Sequence, residues 1–169
     1  MTTIGEYAFY ACTSLESVSL PANLKTLGAS AFSRCLSLEG MEIDQSNKDF
    51  VTYDGILYSS DYELAYVVPA GIVGPVRMPE AVTIIPGGFF SECKNLKGVI
   101  FHDKITAIGD SAFANTALTT AEMQNVTAIG AGAFANTALT SAEIQNVTAI
   151  GAGAFEAVSY THLTLPTTS

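Results

Sequence analysis

Apolar residues recur along this chain in three phases, each marking an extended piece or a tight turn. The first phase is a ruler of the form Ile-Gly-x-x-Ala-Phe. It stands at Ile4-Gly5 with Ala8-Phe9, at Leu27-Gly28 with Ala31-Phe32, and in altered form at Ile85-Pro86 with Phe89-Phe90. It returns from Ile108-Gly109, Ile129-Gly130 and Ile150-Gly151, and its Phe residues are 23, 58, 23, 21 and 21 residues apart. The second phase follows each Phe: Leu15, Val18 and Leu20, then Leu38, Met41 and Ile43, then Leu96, Val99 and Phe101. It continues as Leu118, Ala121 and Met123, then Leu139, Ala142 and Ile144. The last two of each trio are spaced i, i+2, which puts both side chains on one face of a strand. The third phase is Leu24, Val82, Ile105, Val126 and Val147, each three residues before the ruler's Ile or Leu.

Self-similarity at this period marks a solenoid. The clearest copy is the stretch from Ala112 to Phe155, where nearly the same text is written twice, 21 residues apart. One repeat reads as a short strand, a turn often carrying Pro or Asn (Pro21, Asn125, Asn146), a second extended piece and a short helical turn. Gly permits the tight bend, the Ala is small enough for neighbouring coils to approach, and Phe plugs the layer between them. No coil buries its apolar face alone, so the coils must stack into a continuous core. The two 21-residue coils lack one residue between Phe and Leu and carry Ala121 or Ala142 where Val is usual, so a change of curvature is expected there.

The interval of 58 contains an insertion, from Asp44 to Pro79. Phe50–Tyr53, the turn at Asp54-Gly55 and Ile56–Tyr58 form a hairpin signal, since Asp-Gly suits a type I′ turn. Leu64–Val68 is a further strand. Tyr53, Tyr58, Tyr62 and Tyr66 lie here, either packing on the neighbouring coil or forming an aromatic contact patch.

Composition narrows the function. The formal net charge is −9, and no Lys or Arg follows Lys104. Nucleic acid and anionic lipid both require clustered cations, so neither is an expected partner. No apolar run reaches the roughly 20 residues that cross a bilayer. No signal peptide is visible, and repeat text begins at Ile4 without a cap, so the chain reads as a fragment. Cys12, Cys35 and Cys93 each stand three residues after a ruler Phe and are expected to form an interior column of buried thiols. A Cys12–Cys35 disulfide between stacked coils and metal binding are the alternatives, the latter lacking a second Cys or His cluster.

After Ala157 the phase is lost. Val158 to about Thr167 resembles one translated frame of a transposase-end adapter used in preparing sequencing libraries. Residues 158–169 are therefore read as a non-native tail, and residues 1–157 as one repeat domain with an insertion at 44–79.

The whole pattern from Ile4 to Pro21, with its Cys and Leu-x-x-Val-x-Leu-Pro, resembles the BspA-like leucine-rich repeat family, and Asp54–Tyr58 looks like a segment found between its repeats. The resemblance covers about residues 4–157. It implies an α/β repeat solenoid: a right-handed leucine-rich-repeat superhelix with a parallel β-sheet on one face, short helical or 3-10 turns on the other, and a β-hairpin insertion. It also implies a cell-surface or secreted bacterial or protist protein that binds host proteins or other cells.

No catalytic constellation is present, and neither enzymatic activity, a cofactor nor a bound metal is expected. His102 stands alone beside a strand, and Asp103 next to it points to the opposite face. Asn125-Val126-Thr127 and Asn146-Val147-Thr148 match the glycosylation sequon but fall at a turn of the repeat. The expected working surface is the outward strand face. It carries Ser19, Glu42, Ile100, Glu122 and Glu143 in register, flanked by Ser17, Gly40, Gly98, Thr120 and Ser141. Equivalent side chains in a parallel ladder sit roughly 5 Å apart, giving a small, polar, mildly acidic face. It is either a solvated surface or a contact face for a protein partner. The function expected is a non-catalytic binding module of a surface or secreted bacterial protein; the alternative is a structural spacer within a larger one.

Overall fold

The structure is a computed structural model in which residues 1–159 are described, together with the backbone of residues 162–164. It divides into one unit from Met1 to Ile72 and a second from Val73 onward.

In the first unit, β1 (Thr3–Ile4), β2 (Ser17–Leu20), β3 (Thr26–Leu27) and β4 (Gly40–Ile43) form two coils. β1 pairs with β3 and β2 with β4, both in parallel and both at a 23-residue register. The inserted strands β5 (Phe50–Tyr53), β6 (Ile56–Ser59) and β7 (Ala65–Val67) form an antiparallel meander. Asp54 and Gly55 both have positive φ at the β5–β6 turn, as the type I′ geometry requires. Phe50 and Leu57 join Leu20, Leu24, Phe32, Leu38 and Met41 in one core. Asn47 fastens the insertion to the first coil. Its Nδ2 donates to the carbonyls of Pro21, Ala22 and Leu24, and its Oδ1 accepts from the amides of Asp49 and Phe50.

The second unit comprises β8 (Val76–Arg77), β9 (Ile84–Ile85), β10 (Val99–Ile100), β11 (Ala107–Ile108), β12 (Thr120–Glu122), β13 (Ala128–Ile129), β14 (Ser141–Glu143), β15 (Ala149–Ile150) and β16 (His162–Thr164). β9, β11, β13 and β15 form one parallel sheet from the ruler positions. The second-phase positions form β8–β10 and β12–β14–β16 as separate sheets. Strands thus line two sides of each coil, where one sheet was expected. The third-phase residues Ile105, Val126 and Val147 are buried between the two ladders.

The expected helical or 3-10 turns are absent: among the described residues no helix is present, and the turn segments form a third ladder instead. Each spends its amides alternately. Phe90 donates to Ala112 O, Phe113 to Ala133 O and Phe134 to Ala154 O, one coil away, while the residue after each donates three residues back along its own chain. A helix needs every amide for its own axis, so this alternation excludes one. The backbone enforces it with two left-handed residues per turn. The first is Tyr7, Ser30, Gly88, Ser111, Gly132 or Gly153, and the second is Ala11, Arg34, Glu92, Asn115, Asn136 or Ala157.

The ruler Phe rings stack as a column within each unit. Phe9 lies 5.0 Å from Phe32, while Phe90, Phe113, Phe134 and Phe155 follow one another at 5.3, 5.2 and 5.2 Å with planes within 17°. Ala31, Ala112, Ala133 and Ala154 are buried beside them. The Cys position is more varied than expected. Cys35 and Cys93 are buried, Cys12 is exposed in the first coil, and none of the three is in a disulfide. In the two 21-residue coils Thr116 and Thr137 occupy the same repeat position, each buried and each donating its hydroxyl to the Phe carbonyl three residues back at 2.9 Å.

The reading of residues 158–169 as a tail falls largely outside the described residues. Within it, the β16 backbone pairs with β14 at a 21-residue register.

Candidate functional site

The outward strand positions fall into one patch in each unit. In the first unit, the alternation of β2 and β4 buries Leu20 and Met41 and leaves Ser19 and Glu42 exposed and directly paired. In the second, Ala121 and Ala142 point inward, while Glu122 and Glu143 are exposed and directly paired. The exposed Ile100 pairs with Arg77 of β8, not with Glu122, since β10 and β12 belong to different sheets. Arg77 is therefore a member of the face that sequence reasoning missed. The signal was present: Val76-x-Met78-Pro79 copies Val18-x-Leu20-Pro21, and Val76 precedes Val99 by 23 residues.

The second patch divides by charge: Arg77 stands on the β8–β10 sheet, and Glu122 and Glu143 stand on the β12–β14–β16 sheet. The ion pairs at Lys94–Glu92 and Lys104–Glu80 do not involve Glu122 or Glu143. Lys104 Nζ lies 2.7 Å from Glu80 Oε2, and that ammonium holds the Glu80 carboxyl below the usual range. Two equally exposed carboxylates in register repel each other unless a cation bridges them.

The four tyrosines do not form one patch. Tyr62 packs at 6.2 Å from Tyr53 and 5.8 Å from Tyr58, whereas Tyr66 meets Phe50 edge-on at 4.9 Å. Tyr58 is only 1% exposed, and burial pushes its phenol well above the ordinary range. Tyr53 and Tyr62 are half-buried and Tyr66 is exposed, so these three rings carry whatever surface the cluster presents.

His102 is held as a brace. Its Nδ1 accepts from the Lys104 amide at 3.3 Å, which leaves the proton on Nε2 to donate to Pro79 O at 3.0 Å. The sequon asparagines are also bonded between coils: Asn125 Nδ2 donates to Asp103 O at 3.0 Å, and Asn146 to Gln124 O. Among the described residues no group of three His, Cys, Asp or Glu could hold a metal ion. No helix among them is long and apolar enough to cross a membrane.

Comparison with known proteins agrees with this architecture. The family described as BspA type leucine-rich repeat region matches residues 1–56 and 73–169 in six copies. No curated protein sequence matches the chain. A leucine-rich cell surface protein from Faecalibacterium prausnitzii has a similar structure, at 22% identity and a TM-score of 0.62 over 99% of this chain and 52% of that one. A leucine-rich repeat protein from Eubacterium ventriosum is similar at 23% identity, with a TM-score of 0.64 over 98% and 52%. The pneumococcal vaccine antigen PcpA is similar at 20% identity, with a TM-score of 0.58 over 95% and 49%. The chain thus spans about half the length of these solved chains, and identities this low establish shared fold alone. With six in-phase copies covering most of its length, the chain belongs to the BspA-type leucine-rich repeat family.

Proposed function

We propose that this chain is a protein-binding repeat module of a bacterial cell-surface or secreted protein, working through its exposed strand face in adhesion to host proteins or other cells. The observation that carries the reading is the Glu122–Glu143 pair, held in register on rigid parallel strands beside small residues at Thr120 and Ser141. Such a face is flat, accessible and positioned by a buried core, and it presents charge that a partner cation would relieve. The solved relatives described as a cell surface protein and a vaccine antigen support a surface location. The repeat family is typically non-catalytic. The test is a pull-down from a panel of host extracellular proteins, with Glu122→Lys and Glu143→Lys combined. Loss of capture is expected. Capture that survives the double change would place the site elsewhere. Under the second reading, a spacer between other domains, wild-type protein captures nothing.

A further inference from the structure

We propose that the gap between β10 and β12 takes an arginine or lysine side chain from an extended segment of a protein partner. This rests on the protein-binding reading above and names the site and its chemistry.

The gap follows from coil length. Relative to the preceding coil, the one carrying β12 is one residue shorter between Phe113 and Leu118, and one shorter between Met123 and Val126. Both ends of β12 are therefore drawn in. The coils stay joined below it, where the Thr119 amide donates to Lys97 O, and above it, where the Thr127 amide donates to Thr106 O. Between these ties β10 and β12 part into separate sheets. A groove of about 410 Å³ opens there. Each strand is the edge of its own sheet, so the facing edges offer backbone N–H and C=O groups to an extended chain.

The two walls differ. Ile100, 44% exposed, forms an apolar wall with Pro75, while the half-buried Phe101 turns inward and meets Phe113 edge-on at 5.8 Å. Thr120, Glu122 and Gln124 form a polar, acidic wall. A long cationic side chain suits both at once, laying its methylene stem on Ile100 and Pro75 and its head on Glu122. The sequence beyond Lys104 carries Asp110, Glu122, Glu143 and Glu156 and no Lys or Arg, so that side of the groove holds no cation of its own. The volume accommodates one or two side chains and excludes a helix or a folded lobe.

Random linear peptides displayed on phage, panned against the full chain, supply the probe. Selected peptides are then titrated calorimetrically into wild type, Glu122→Gln, Ile100→Ser and Glu6→Gln. The expected selection is Arg or Lys flanked by apolar residues. Glu122→Gln should weaken binding by about tenfold or more, the scale of a lost charge-assisted hydrogen bond. Ile100→Ser should weaken it severalfold, and Glu6→Gln should leave it unchanged. All three residues are exposed, and unchanged thermal unfolding verifies the fold. Selected peptides without a basic residue, or affinities indifferent to Glu122→Gln and Ile100→Ser, overturn the groove assignment and leave protein binding through another face standing. A selection that yields no binder also overturns it, while the pull-down decides the broader reading.

Discussion

Single residues carry the repeat's chemistry. Cys35 and Cys93 are buried, and burial raises both thiols, Cys93 to about 12. Cys12, at the same repeat position, is exposed. Iodoacetamide at pH 8 should therefore alkylate Cys12 and spare Cys35 and Cys93 in the folded protein, as peptide mass spectrometry would record. Equal labelling of all three would contradict the packing. The pH dependence has a definite sign. A thiol raised in the folded state favours the protonated form, so its stabilising contribution is full below the ordinary thiol value of 9.0 and is lost as pH rises towards about 12. Denaturant midpoints should fall across that window, and a Cys93→Thr variant, copying Thr116, should flatten the fall. Gly109 illustrates a second constraint. A Cβ there would sit 2.5 Å from Gly87 N and 2.8 Å from Pro86 C, both backbone atoms of the adjacent coil. Gly109→Ala should destabilise by about 1–3 kcal/mol, the usual cost of overpacking, measurable by urea unfolding.

At the scale of elements, the Phe column and the turn ladder hold neighbouring coils together. Phe113 is fully buried between Phe90 and Phe134, so Phe113→Ala should cost about 3–5 kcal/mol. Phe9, 39% exposed with one stacked neighbour, should cost clearly less when truncated. The strands were legible because Leu-x-x-Val-x-Leu has a two-residue alternation that only a strand satisfies. The turns were not, since Gly-x-x-Ala-Phe suits a helical turn as well as a ladder of i→i+3 bends. Tyr7, Ser30 and Ser111 give no sign of left-handed backbone, although Gly88, Gly132 and Gly153 at the same repeat position do. The Asn115 and Asn136 positions mark the second such site, Asn being tolerant of that conformation. Far-UV circular dichroism should accordingly show a β spectrum without the paired helical minima. The strand face was legible in alternation but not in continuity. Ile100 and Glu122 share a repeat position, yet the two deletions flanking β12 separate them, and the consequence of a one-residue loss for pairing emerges only when the coils are stacked.

Across the whole molecule, a net charge of −9 makes the sequence ill suited to nucleic acid, and the proposed reading pairs it with a cationic partner. Binding through Glu122 and Glu143 should weaken steadily as ionic strength rises from about 50 to 500 mM, because exposed charges are screened over that range. A purely apolar contact would not respond in that direction. The repeat family establishes the scaffold, and under the proposed reading the outward strand residues decide what is bound. Photo-crosslinking addresses this central claim most directly. Benzoylphenylalanine placed singly at position 120 or 141 flanks the Glu122–Glu143 pair, and the same residue at position 152 reports the turn ladder. The account predicts covalent capture of the partner from positions 120 and 141 and none from 152. Capture from 152 alone would show that the turn side, not the strand face, is the working surface.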